Sequence, residues 1–172
     1  MTMMTRSYDY APATFDPTAA MRMSGLEYMK ALAAGEIGAQ PSIAATIGMS
    51  AASQLENGKV AFECQPGDFL LNPMGTVHGG FAATVLDSAL GISVHTTLEP
   101  GWGFTTAELK INYTRAIRPD IGLMRAEGTV IHRGRRMATS EGRLIGVEDG
   151  KLYAHGSTTC FLFPLTEARS GK

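Results

Sequence analysis

Neither sign of charge dominates this chain. Lys and Arg total 15 against 16 Asp and Glu, a net charge of −1, so nothing in the balance favours a nucleic-acid groove or an anionic membrane surface. Cysteine is scarce. Cys64 and Cys160 show neither a CxxC motif nor metal-ligand spacing, and two cysteines do not make a disulfide framework. Both lie in apolar alternating runs, where buried free thiols are expected. No metal cluster, internal repeat or low-complexity segment is found, and the opening MTMMTRSYDYAPATFDPTAA lacks the apolar core of a signal peptide. With reduced cysteines and no export signal, a cytoplasmic protein is expected. The 172 residues, 44 % hydrophobic and 18 % charged, suit one globular domain with its own core.

What the chain does have is one dominant stretch, Asn72 to His95 (NPMGTVHGGFAATVLDSALGISVH). A turn-rich start leads into His78-Gly79-Gly80 and then an apolar run from Phe81 to Val94. Its apolar residues fall on every side of a 3.6-residue period, which predicts a helix buried all round. Thr84, Asp87, Ser88 and Ser93 interrupt it, and it is too short to span a membrane. A carboxylate inside such a helix is costly unless partners or function hold it there. The helix start is the complementary feature: its first N–H groups lack intrahelical acceptors and carry partial positive charge. Glycines at 79 and 80 let a ligand approach that backbone, which could hold an oxyanion.

Asp87 follows Gly79 by eight residues, roughly 12 Å along one helix. A carbonyl held by the Gly79 N–H and attacked from Asp87 needs the two within roughly 6 Å of one another. One straight helix cannot satisfy this, whereas two antiparallel copies in a twofold dimer can.

Around this stretch, residues 1–21 read as an extended or poorly ordered tail. Ser24 to Ile37 reads as a helix with a Ser24–Glu27 capping box and an apolar stripe of Leu26, Met29, Ala33 and Ile37. It is expected to pack on the domain surface, or else to act as a lid. Residues 43–55 and 59–65 read as strands joined by Asn57-Gly58. After the helix come Thr105–Thr114, Gly122–His132, Arg136–Val147 and Lys151–Phe163, an expected antiparallel meander of about four strands. The division is a tail and surface helix over 1–42 and a main domain over 43–172. The class is α+β, a curled antiparallel sheet around one buried helix, which is the hotdog architecture.

Asn72-x5-His78-Gly79-Gly80-x6-Asp87, the TTAELKINYTRAI strand and the HRGRR turn together resemble the phenylacetate-degradation (PaaI-type) branch of hotdog acyl-CoA thioesterases, over roughly residues 43–163. The resemblance implies hydrolysis of acyl-CoA to free acid and CoA, with no cofactor beyond the CoA carried by the substrate. It implies Asp87 as nucleophile or general base, against a structural Asp paired with a neighbour. Gly79 supplies the oxyanion-hole N–H, with His78 and Asn72 beside it. Asn72 orients water or thioester, or simply forms an Asx turn before Pro73, and His78 fixes the loop by hydrogen bonding. Thr106 matches a hydroxyl residue that holds water near the carboxylate, or is an ordinary strand threonine. Gly80, Gly91, Tyr113, Arg115, His132, Arg133, Gly134 and Arg135 are implied in binding substrate and CoA, although an arginine-rich turn can equally be a solvated loop. A homodimer assembling into a tetramer is expected, without nucleic-acid or membrane partners. The alternatives are a hotdog hydratase or dehydratase and a non-catalytic acyl-CoA-binding protein.

Overall fold

The computed structural model of the chain describes residues 3–12 and 15–166. Helix α1 (Pro17–Arg22) begins where Asp16 accepts from the Thr18 and Ala19 N–H groups, with Pro17 at the first helical position. Aspartate followed by proline is a helix start, so residues 17–22 are helical rather than part of an extended tail. Helix α2 (Gly25–Ala33) carries the expected Ser24–Glu27 capping box. It ends before Ile37 because the chain turns at Ala34 and Gly35, the latter at φ +74°. Ser42–Ile47 forms helix α3, where a strand was expected from residue 43. Its apolar and β-branched residues suit either state, and Gly48 at φ +74° closes the helix by donating to the Ala44 carbonyl.

Strands β1 (Met49–Glu56) and β2 (Lys59–Cys64) form the hairpin at Asn57-Gly58. Strands β3 (Trp102–Tyr113), β4 (Met124–Arg133), β5 (Met137–Gly146) and β6 (Leu152–Pro164) complete one antiparallel six-stranded sheet, ordered β1-β2-β4-β5-β6-β3. The strands arise close to where the sequence places them, but their neighbours differ. Only β4, β5 and β6 form a meander; β3 lies beyond β6 at the sheet edge, and β4 pairs with β2. The intervening helix carries the chain across the sheet from β2 to the far edge, which alternation within a strand cannot reveal.

That helix, α4 (Gly79–His95), lies in the curl of the sheet. Phe81, Ala82, Val85, Leu86, Ala89 and Leu90 pack with Val60, Phe62, Met124, Ala126, Leu144 and Ala154 in the main core. Part of the contact is backbone against backbone. Gly128, Gly142 and Gly156 are cross-strand neighbours on β4, β5 and β6. A methyl group on them would run into the carbonyls of Ala89, Glu127 and Lys110 respectively. This side-chain-free row lets α4 and the neighbouring strands approach at main-chain distance. Ser140 on β5 adds a hydrogen bond to the Leu90 carbonyl, 2.9 Å.

The helix is not buried on every side. Gly80, Ala83, Thr84, Asp87 and Ser88 stay exposed or half-exposed and fall on one face. The expectation of all-round burial is thereby corrected: one sheet covers the rest of the circumference and leaves this stripe open. At its C-terminal end α4 meets α2. The Gly25 N–H donates to Leu98 O at 2.9 Å, and the Gly25 backbone presses on the His95 carbonyl. The His95 ring stands between Tyr28 and Phe104, with centroids 5.8 and 5.6 Å away. A curled sheet holding one central helix is the hotdog fold. Among the described residues no helix is long and apolar enough to cross a membrane.

Candidate active site

The loop entering α4 is held at both ends: His78 N–H donates to Leu70 O and Val77 N–H to Ile117 O, at 2.8 and 2.9 Å. Within it, Asn72 forms an Asx turn. Its Oδ1 accepts from the Met74 and Thr76 N–H groups at 2.9 and 3.3 Å, and its Nδ2 donates to Thr76 Oγ1 at 2.9 Å. The Asn72 amide is thus engaged by its own loop. His78 is the N-cap of α4, its Nδ1 accepting from the Gly80 N–H at 2.9 Å. The side chain serves to fix the helix start.

Gly79 is the first helical residue, so its N–H has no acceptor within the helix. The Tyr113 ring covers it: a Cβ at Gly79 would lie 3.2 Å from ring carbons, and Tyr113 Oη donates to Gly79 O at 3.3 Å. Beside them is a hollow of about 340 Å³ bordered by Val77, Gly79, Tyr113 and the exposed Arg115.

Two turns along the helix, Asp87 is half-exposed, a correction to the buried carboxylate expected from the apolar run. Thr106 Oγ1 on β3 donates to Asp87 Oδ1 at 3.0 Å. Strict alternation would place Thr106 opposite Leu109 and Ile111, which pack against the core. The strand is irregular between Thr106 and Glu108, where Ala107 is extra relative to β6. That bulge resets the alternation and turns Thr106 to the helix. Ser88 and Thr84 do not compete for the carboxylate, since each hydroxyl bonds a carbonyl one turn back, at 3.0 and 2.8 Å. Behind Asp87, Gly91 gives room to the Phe104 ring, which would lie 3.0 Å from a Cβ there. Cys160, across the sheet from Thr106, is buried; desolvation pushes its thiol up, and the Asp87 charge acts in the same direction.

Asp87 and Thr106 border a cavity of about 210 Å³. Its other walls include Met29 of α2 and Gln40, Pro41, Ile43 and Ala44 at the start of α3. Nothing in the sequence assigns Gln40, Pro41, Ile43 and Ala44 to the site, and the helix that carries Met29 reads as a packing helix or a lid over the substrate. The capping box and apolar stripe marked a packing helix around Met29, but nothing local told what that stripe would face.

The remaining predicted residues lie elsewhere. His132 and Arg133 end β4, and Gly134 and Arg135 lie in the β4–β5 turn, where Gly134 N–H donates to Met137 O at 2.8 Å. His132 and Arg135 are exposed, and Arg133 is half-buried, its Nε enclosed without a hydrogen-bond partner among the described residues. This turn adjoins the C-terminal end of α4: Val130 N–H donates to Gly58 O, and Gly58 N–H to Thr96 Oγ1, both at 2.8 Å. Tyr113 and Arg115 stand at the other end of a 17-residue helix, about 25 Å away. One chain therefore brings together Asp87, Gly91 and Thr106, and separately Asn72, His78, Gly79, Gly80, Tyr113 and Arg115. It brings neither group to the arginine turn.

Residues 74–153 match the family model described as the thioesterase superfamily. A search of the curated proteins gave no match. Among solved structures, a phenylacetic acid degradation-related protein from Ralstonia eutropha JMP134 is 30 % identical, with TM-score 0.70, over 78 % of this chain and 98 % of its own. A protein from Bacillus halodurans, whose crystal structure contains CoA, is 30 % identical over 60 % of this chain and 66 % of its own, with TM-score 0.56. The PaaI protein of the E. coli phenylacetic acid degradation operon superposes with TM-score 0.65 over 72 % of this chain and 86 % of its own. At 16 % identity, that last likeness is one of fold.

Proposed function

From the premise that the chain belongs to the thioesterase superfamily and resembles its phenylacetic acid degradation-related members, we propose that it hydrolyses acyl-CoA thioesters, with Asp87 as the catalytic carboxylate. The observation that carries the reading is the Thr106–Asp87 hydrogen bond, 3.0 Å, at the edge of a largely apolar cavity. Thr106 occupies one carboxylate oxygen and leaves the other for water or the thioester. As general base, that oxygen takes a proton from water while the hydroxide oxygen bonds to the thioester carbon. As nucleophile, it bonds to the carbon itself, giving an acyl-carboxylate anhydride that water then cleaves. On either route the carbonyl electrons move onto oxygen, return as the C–S bond breaks, and leave CoA as a thiolate that takes up a proton. Negative charge on the carbonyl oxygen is met by the Gly79 N–H at the start of α4.

Gly79 and Asp87 are separated along one helix by roughly 12 Å, so we assign the two halves of each site to two copies of the chain. Two further features support a homodimer. Among the described residues, the 12-residue strand β3 has an unpaired edge, which invites a second strand. The open stripe of α4 carries Asp87 itself. In such a pair, the Gly79–Tyr113–Arg115 end of one helix and the Asp87–Thr106 middle of the other serve the same thioester. The arginine turn at the far end comes within reach of the nucleotide. CoA as the leaving group draws support from the CoA-containing relative. Pairing of dimers into a tetramer belongs to the same proposal.

The test is Asp87→Asn with a panel of acyl-CoAs and a thiol-trapping assay. Turnover should fall by a factor on the order of 10² to 10⁴, with CoA binding and the folded state kept. Near-full kcat in the variant would remove Asp87 from the chemistry. CoA binding without thiol release by the unaltered protein would instead establish a non-catalytic binder.

A further inference from the structure

The cavity beside Asp87 is closed by a part of the chain that lies outside the match to the family model, residues 74–153. Met29 reaches it from α2, and Pro41, Ile43 and Ala44 from the segment opening α3. Met49, Phe62, Ile92 and Phe104 complete the apolar walls. Met29 is 8 % exposed, with Phe62 at 5 %, and Ile43 stands at the rim, 44 % exposed. Two polar residues also border the cavity away from the Asp87–Thr106 pair, and both are engaged elsewhere. Gln40 Nε2 donates to Leu32 O at 3.2 Å, and Ser88 Oγ to Thr84 O at 3.0 Å. Among the described residues, no Lys or Arg lines the cavity.

We infer that the N-terminal extension forms the blind wall of the acyl chamber, and that Met29 and Ile43 limit the acyl group to an uncharged hydrocarbon of six to nine carbons, roughly, on the scale of apolar cavities near 150 Å³ that bind benzene. The inference rests on the reading of Asp87 as the group that meets the thioester. About 210 Å³ of space is too small for a nucleotide or pantetheine arm, since sites for drug-sized ligands run from about 300 Å³ upward. A chain with a terminal carboxylate would have to bury a charge where the walls hold no cation to pair with it. An alkyl or aryl end gains by leaving water.

The experiment measures binding, so that it stands apart from turnover. S-alkyl-CoA thioethers, which carry no cleavable acyl bond, are titrated calorimetrically in a series from two to fourteen carbons, with one ω-carboxylated member of the best length. Affinity should rise roughly three- to fourfold per methylene up to the chamber's limit and then level off or fall. The ω-carboxylate should bind at least ten times more weakly than its neutral counterpart. Met29→Ala should move the limit outward by two to three carbons, roughly the three heavy atoms removed, and Ile43→Trp should move it inward. The rim position tolerates a larger side chain without disturbing the core, so it keeps the test decisive if Met29→Ala is poorly folded. A length limit that stays fixed in Ile43→Trp and in folded Met29→Ala would overturn the inference, as would equal affinity for the ω-carboxylate. Thioether binding with the expected limits, but no hydrolysis of the matching thioester, would leave the chamber standing and sink the thioesterase reading alone.

Discussion

Acidification should weaken this protein through one imidazole. The His95 Nε2 is enclosed and has no hydrogen-bond partner among the described residues, and the ring lies between Tyr28 of α2 and Phe104 of β3. Neither neighbour carries a charge near neutrality. Burial pushes the imidazole down from 6.5 to about 4, so the folded state favours the neutral ring. A lowered histidine contributes stability that is complete above the unfolded pKa and declines as pH falls from 6.5 toward 4. The full difference is worth about 3 kcal/mol, of which about 2 kcal/mol is lost by pH 5. The assay is urea unfolding at pH 8 and pH 5, at one fixed protein concentration so that any association contributes equally to both measurements. His95→Phe is the comparison: it keeps a ring in the same slot and cannot titrate. Carboxylates elsewhere are common to both proteins and cancel in the difference. The unaltered protein should lose about 2 kcal/mol more than His95→Phe across that interval. Equal losses in the two proteins would refute the assignment of His95 as a buried neutral base.

Other outcomes follow from the same geometry. Cys64, pushed up to about 12 chiefly by burial, and Cys160, raised mainly by the same cause, should resist a thiol reagent at pH 8 until the protein is unfolded; fast native labelling of either would contradict their burial. Gly128→Ala places a methyl group against the Ala89 carbonyl and should cost about 1–3 kcal/mol, read as a lower urea midpoint. Changing Arg133 and Arg135 together to Ala should raise KM for acyl-CoA while sparing a short thioester that lacks the nucleotide; equal damage to both would make the turn purely structural. Co-refolding an Asp87→Ala chain with one carrying a bulky residue at Gly79 should restore part of the activity that each lacks alone. Inactive heterodimers, verified by mass spectrometry, would place the whole site in one chain.

Elements governed by local signals were legible in the sequence. The Ser24–Glu27 box, the Asn57-Gly58 hairpin and the apolar run after His78-Gly79-Gly80 each gave an element close to its expected place. Asp16-Pro17 carried a signal of the same kind, yet it was outweighed by the polar, proline-containing composition around it. Relations between distant segments were less legible. The position of β3 beyond β6 depends on where a helix delivers the chain, and period-two alternation holds no record of it. Thr106 illustrates the same limit within one strand. The resemblance implied a hydroxyl that holds water near the carboxylate, not a direct bond to Asp87, and the alternation of TTAELKINY alone assigns Thr106 to the wrong face, because an extra residue at Ala107 shifts the phase. The walls of the acyl chamber were least legible, since they come from α2, α3, β1, β2, α4 and β3.

The glycine row across β4, β5 and β6 bears on how such a scaffold can change over evolutionary time. Against Gly128, α4 rests on main chain, which is the same whatever side chains surround it. Asp87 and Gly79 lie on that helix, so their placement is inherited from a contact that most substitutions cannot alter. Exchanges among Val85, Leu86, Met124 and Leu144 will then be felt as gains or losses of stability well before they displace the carboxylate. Selection can tune the body of the protein and the lining of the chamber as separate variables, while the three positions of the row admit almost no side chain at all.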